Sequence, residues 1–158
     1  MAKITSARIM KIRIPGIKMN KIIELLQIFG QKNSQLIKSI YLFGSIVRGD
    51  YTNNSDLDVL IIIAEGAKKE IRKRLDYSNE FIEANRLFSK RFIEGITPLI
   101  ETIQGLAENF DPLPQTILRE GLLVFGEKIE TLLRETEIKV PEKPELKKLI
   151  NEIKQAFY

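Results

Sequence analysis

Asp56 and Asp58 stand one residue apart at the mouth of the apolar run Val59–Ala64, and a Gly44-Ser45 pair lies shortly before them. Two like charges beside apolar chain are costly unless something positive sits between them. On an extended segment, residues i and i+2 point to one side with Cα atoms ~6–7 Å apart. Both carboxylates can then reach a single divalent cation. Mg²⁺ favours oxygen ligands and completes its shell with water and phosphate oxygens. Gly44 permits close backbone approach. A short helix opening at Ser45 turns N–H groups and a favourable dipole toward an anion. The Ser45 hydroxyl adds a hydrogen bond. Arg48, one turn on, either neutralises a phosphate or pairs with one of the aspartates. The chemistry these residue types could perform is the bridging of a phosphate to two carboxylates through a hard cation. Taken singly, Gly-Ser and Asp-x-Asp are turn residues more often than ligands. The order strand, Gly-Ser, Arg-Gly, polar loop, Ser-Asp-x-Asp, apolar strand gives them weight together.

Those residues need a scaffold. Asn20 is expected to cap a helix carrying Ile22, Leu25, Leu26 and Phe29, with Gly30 as its stop. Leu36–Phe43 reads as a strand ending at Gly44, and Ser45–Arg48 as a short helix. The cluster GDYTNNS is turn chemistry. Asp56–Ile63 reads as a strand apolar enough to be central in a sheet. Ala67–Lys90 reads as one long helix with Ile71, Leu75, Ser78 and Ile82 on its stripe. The stretch GITPLI is a third strand, placed at an edge by Pro98. A helix over Glu101–Glu108, a Pro-opened helix stopping at Gly121, a strand Leu122–Phe125 and a helix Lys128–Glu135 follow. Pro144 suits the first turn of a terminal helix whose apolar stripe packs on its own domain or on a partner, a second copy included. The order of elements reads as α/β (α+β), a small sheet covered by helices. Residues 1–19 form a basic arm or edge strand, 20–135 the main domain, and 136–158 a linker and helix.

Composition narrows the chemistry. The 158 residues suit one domain of ordinary size. With neither cysteine nor histidine, thiolate chemistry, imidazole bases and the common zinc sites are excluded. A net charge of +4 favours an anionic partner such as a nucleotide, but it is too small to mark a nucleic-acid binder. The run KKEIRKR, Lys68–Arg74, has no interleaved aromatics to stack bases and is most simply a solvated helix face. No apolar run approaches the ~20 residues of a membrane helix, and the N-terminus lacks the pattern of a signal peptide. A cytoplasmic protein is expected. The richness in Ile, Lys and Glu suits a thermophile.

The stretch LFGSIVRGDYTNNSDLDVLII closely resembles the signature of the DNA polymerase β-type nucleotidyltransferases, and most of all the minimal, antitoxin-like nucleotidyltransferases. The likeness is specific over Ile40–Ile63 and continues more weakly to Glu127, through ILREGLLVFGE. It implies the polymerase β-like fold, a small mixed β-sheet flanked by helices, with Gly44, Ser45 and Arg48 at the triphosphate and Asp56 and Asp58 holding Mg²⁺. The implied reaction is transfer of a nucleoside monophosphate from an NTP, ATP first, to an acceptor hydroxyl, with pyrophosphate leaving. The implied partner is a toxin of the HEPN type.

Members of that superfamily usually carry a third acid on a later strand. Here the matching strand holds Thr97 and Pro98 at its centre. Glu94 and Glu101 flank it, and Glu101 shares a face with Thr97 and Leu99. Glu101 is thus the remaining candidate for a third metal ligand, although surface charge accounts for both more simply. The gap leaves a second expectation open: a nucleotide-binding module that turns over weakly or not at all and acts by contact as an antitoxin or regulator.

Overall fold

The computed structural model describes residues 12–108 and 112–136, together with 148, 151, 152 and 155. Residues 1–11 of the arm expected over 1–19, and most of the terminal helix, lie outside the described residues. Four strands form one mixed sheet in the order β3-β2-β1-β4: β1 (Ile37–Phe43), β2 (Leu57–Ile63), β3 (Ile96–Thr102) and β4 (Leu122–Gly126). β1 is antiparallel to both β2 and β4, whereas β2 and β3 run parallel. β2 is central as its apolar run implies, with every residue from Val59 to Ile62 at 0% exposure.

Helices cover both faces. On one side α1 (Met19–Lys32), α3 (Lys68–Tyr77) and α4 (Asn79–Phe88) bury Leu26, Phe29, Ile71 and Phe88 against Leu57, Val59 and Ile61. On the other, α5 (Ile103–Glu108), α6 (Pro112–Glu120) and α7 (Ile129–Glu135) pack Leu106, Ile117 and Leu132 on Leu60 and Ile62. The strand alternation of β2 therefore feeds two cores. Each fully buried Leu or Ile contributes about 1.5–3 kcal/mol by leaving water. The Tyr41 hydroxyl accepts a hydrogen bond from the Ile129 N–H at 2.8 Å and ties the start of α7 to β1.

Three local expectations are corrected. The first helix starts at Met19, and its Lys18 cap makes no side-chain hydrogen bond, so Asn20 is not the cap. Gly30 lies within that helix, where a Cβ would stand 2.5 Å from the Phe125 ring: it is a packing gap and not a stop. The expected long helix is two, α3 and α4, divided at Ser78. Ser78 has extended backbone (ψ 118°), and its hydroxyl oxygen accepts from the Phe81 N–H at 3.0 Å as an N-cap. Ile82, expected on the buried stripe, is 53% exposed because α4 starts a new phase. Pro98 lies on an edge strand as expected. The Ile96 N–H there is taken by Asn85 Oδ1 at 2.8 Å, which helps close that edge to further pairing.

Candidate functional site

Three ladder registers assemble the site at one end of the sheet. Phe43 faces Asp58 across β1 and β2, which brings Gly44 against the Asp58 side chain. Asp58 faces Thr97 across β2 and β3. Leu42 faces Leu122 across β1 and β4, so continuing that register sets Glu120 beside Gly44. Residues far apart in sequence thus converge because the ladders, two antiparallel and one parallel, fix partners one for one.

Gly44 has φ 85° and ψ −163°, a conformation reserved for glycine. A Cβ there would run into the Asp58 carboxylate, with Oδ2 its nearest neighbour. The missing side chain is the space that Asp58 occupies. The chain then enters the one-turn helix α2 (Ser45–Arg48), which closes at Gly49 in the left-handed conformation. The Ser45 hydroxyl donates to Ser55 Oγ at 2.9 Å, and Ser55 Oγ also accepts from the Thr52 N–H at 2.9 Å. This pair ties the Gly-Ser turn to the loop that delivers Asp56.

Asp56 precedes β2 and Asp58 lies within it. Both gather around Thr97, whose hydroxyl donates to Asp56 Oδ2 at 2.6 Å while its backbone pairs with Asp58. Burial, then the charge of Asp56, pushes the Asp58 carboxyl up to about 6. Glu120 adds to that rise and Arg48 opposes it. Two oxygen-donor side chains that crowd each other in this way suit a hard divalent cation as its ligands. Among the described residues, no cluster of three or more metal-binding side chains forms.

Glu101 does not complete the set. It pairs with Ile62, four residues beyond the Asp58–Thr97 pair and so ~13 Å along the sheet. Its Oε1 lies against Gly105 and accepts from the Thr102 N–H at 3.4 Å. Glu94 is exposed in the bend before β3. Arg48 pairs with neither aspartate of the motif: its Nη1 meets Glu120 at 2.8 Å and its Nε meets Asp50 at 3.3 Å. Those contacts raise its pKa further. Tyr51 packs edge-on against Phe92 at 5.7 Å beneath the Arg91 guanidinium, so it shapes the loop. Glu120 is the site residue that sequence reasoning missed; its oxygen also lies 3.4 Å from the Gly44 N–H. Its only sequence signal is its place just before Gly121, at the mouth of a strand pairing with β1.

A four-stranded mixed sheet flanked by helices, with this turn and carboxylate pair at one end, defines an α+β protein. The family model of the nucleotidyltransferase domain matches residues 22–156. The chain belongs to that family, within the DNA polymerase β-type nucleotidyltransferase superfamily, whose members generally use divalent metal. Two similar proteins of Methanocaldococcus jannaschii bear the provisional name protein adenylyltransferase. MJ0604 is 39% identical over 62 residues, covering 35% of this chain and 62% of the relative. MJ0141 is 43% identical over 49 residues, covering 28% and 50%. The matched stretches thus span about half to three-fifths of those relatives. A crystal structure of a toxin-antitoxin with AMP-PNP aligns over 87% of this chain and 86% of its own, at 19% identity and a TM-score of 0.41.

Proposed function

We propose that this chain is an Mg²⁺-dependent nucleotidyltransferase that moves a nucleoside monophosphate from an NTP, ATP first, to an acceptor hydroxyl. The observation that carries the reading is the close fit of Gly44 and Asp58: the turn that would receive phosphate and the carboxylate that would hold cation fill one another's space. Asp56 and Asp58 would be the protein ligands of Mg²⁺, which when bound neutralises phosphate charge and polarises the α-phosphorus. Gly44, Ser45 and Arg48 would hold the triphosphate tail. The acceptor oxygen forms a bond to the α-phosphorus, the bond to pyrophosphate breaks, and the hydroxyl proton departs to solvent or to a base on the acceptor. The names of the two archaeal relatives support a protein hydroxyl as acceptor, and the family resemblance supports a HEPN-type toxin as that protein.

Incubation with α-labelled ATP, Mg²⁺ and a candidate partner tests this. Label should pass to the partner with wild type and fall at least a hundredfold with Asp56→Asn, in line with losing electrostatic stabilisation at the reacting phosphate (~10²–10³). Equal, negligible labelling by both proteins would remove the transfer reading. One observation favours a second reading. Thr97 stands where an acid would complete the metal set, and its hydroxyl is spent on Asp56. A module that binds Mg²⁺ and NTP without turnover would show calorimetric binding that Asp56→Asn abolishes, with no label transferred.

A further inference from the structure

Two groups that the phosphate reading requires are already engaged by one carboxylate. Glu120 Oε1 sits 2.8 Å from Arg48 Nη1 and 3.4 Å from the Gly44 N–H. Its side chain is only 17% exposed, against 44% for Arg48, so the carboxylate is sheltered at the turn. Asp50 meets the same guanidinium at 3.3 Å. One cation is therefore shared by two anions, next to a site that already holds Asp56 and Asp58. A polyphosphate arriving at the turn would seek the same N–H and the same guanidinium, and at that position it would meet a like charge.

We infer that Glu120 is an internal anion surrogate: in the nucleotide-free protein its carboxylate holds Arg48 and the Gly44 amide in place, and it yields both to a bound polyphosphate. The inference rests on the nucleotide-binding reading above and concerns what that binding must displace. Glu120 is accordingly a positioning residue that sets the affinity of the turn. The register explains why it is there: pairing of Leu42 with Leu122 leaves the last residue of α6 beside the first residue after β1. A merely structural prop for Arg48 would weaken nucleotide binding when removed, whereas a competitor for Arg48 strengthens it.

Calorimetric titration with a non-hydrolysable ATP analogue and Mg²⁺ separates these cases, using wild type, Glu120→Gln, Glu120→Ala, Arg48→Ala and the Glu120→Gln/Arg48→Ala double variant. Melting curves confirm that each is folded. Both Glu120 variants should bind about fivefold more tightly than wild type, the size expected for one partly screened charge. The gain should be smaller where Arg48 is already alanine. Unchanged or weaker binding by both Glu120 variants would overturn the inference while leaving the nucleotide reading intact. An equal gain with and without Arg48 would also overturn it, because simple repulsion would then suffice. Failure of wild type and all variants to bind would sink the nucleotide reading, and this inference with it.

Discussion

Gly44 and Asp58 are coupled through a space that only glycine leaves open. A side chain at position 44 would be strained by φ 85° and would also displace the Asp58 carboxylate. Gly44→Ala should cost about 1–3 kcal/mol of stability and reduce nucleotide binding at the same time, read by denaturant unfolding and by calorimetry. A variant that unfolds earlier but binds normally would show that Asp58 can move without consequence. The sequence made Gly44, Ser45, Asp56 and Asp58 legible because their identities and short spacing carry the information. Glu120 was not legible. Its partners Gly44 and Arg48 lie 76 and 72 residues away, and nothing local distinguishes it from a surface glutamate. Arg48 was legible as a charge near the site, but its choice of partner depended on where α6 ends.

At the scale of elements, helix α1 shows how packing overrides propensity. Gly30 is buried within it, and the Phe125 ring fills the place of a side chain. Alanine is the better helix former by ~1 kcal/mol, so an isolated helix would gain from Gly30→Ala. Here the added methyl overpacks β4 against α1, a cost of about 1–3 kcal/mol, and the variant should melt lower than wild type. A higher melting temperature would mean that Phe125 rotates aside freely. The same tertiary logic hid the break at Ser78. The stripe of Ile71, Leu75, Ser78 and Ile82 runs through it without a glycine or proline, and only the hydroxyl contact to the Phe81 N–H reveals a cap. Next to that cap, the Lys32 ammonium straps α1 to Glu80 of α4. The Lys32 hydrogen bond holds the Glu80 carboxyl below its ordinary pKa. A depressed carboxyl stabilises the fold above its unfolded pKa and loses that contribution as pH falls through the folded value. Glu80→Gln should therefore lower stability at pH 7 by up to ~1 kcal/mol, since Lys32 is largely exposed, and the difference from wild type should vanish in acid. Equal differences at pH 7 and pH 3, measured by urea unfolding, would assign the effect to packing instead of charge.

Across the whole molecule, β2 joins the two cores, and the site sits at its start. Leu57, Val59 and Ile61 belong to one core, Leu60 and Ile62 to the other, and Asp58 lies between the first of these positions. That central placement was readable from an unbroken apolar run following Asp-x-Asp. The mixed ladder was expected from the family resemblance and not from the pattern itself, because hydrophobic alternation fixes a face but not the direction of a neighbour. Placing a half-buried carboxylate beside Asp56 on this strand costs stability in the absence of a counter-charge. Binding that neutralises the pair should then stabilise the cooperative unit as a whole, by RT ln(1 + [L]/Kd), or about 2.7 kcal/mol at a hundredfold excess over Kd. Differential scanning fluorimetry with Mg²⁺ and a non-hydrolysable ATP analogue should show a rise of several degrees for wild type, reversed by EDTA. Asp58→Asn removes the crowded charge, so it should melt at or above the wild-type temperature without ligand and show little further rise with it. A variant that melts well below wild type would mean the carboxylate contributes hydrogen bonds the crowding does not outweigh. An undiminished ligand shift would place the cation away from β2.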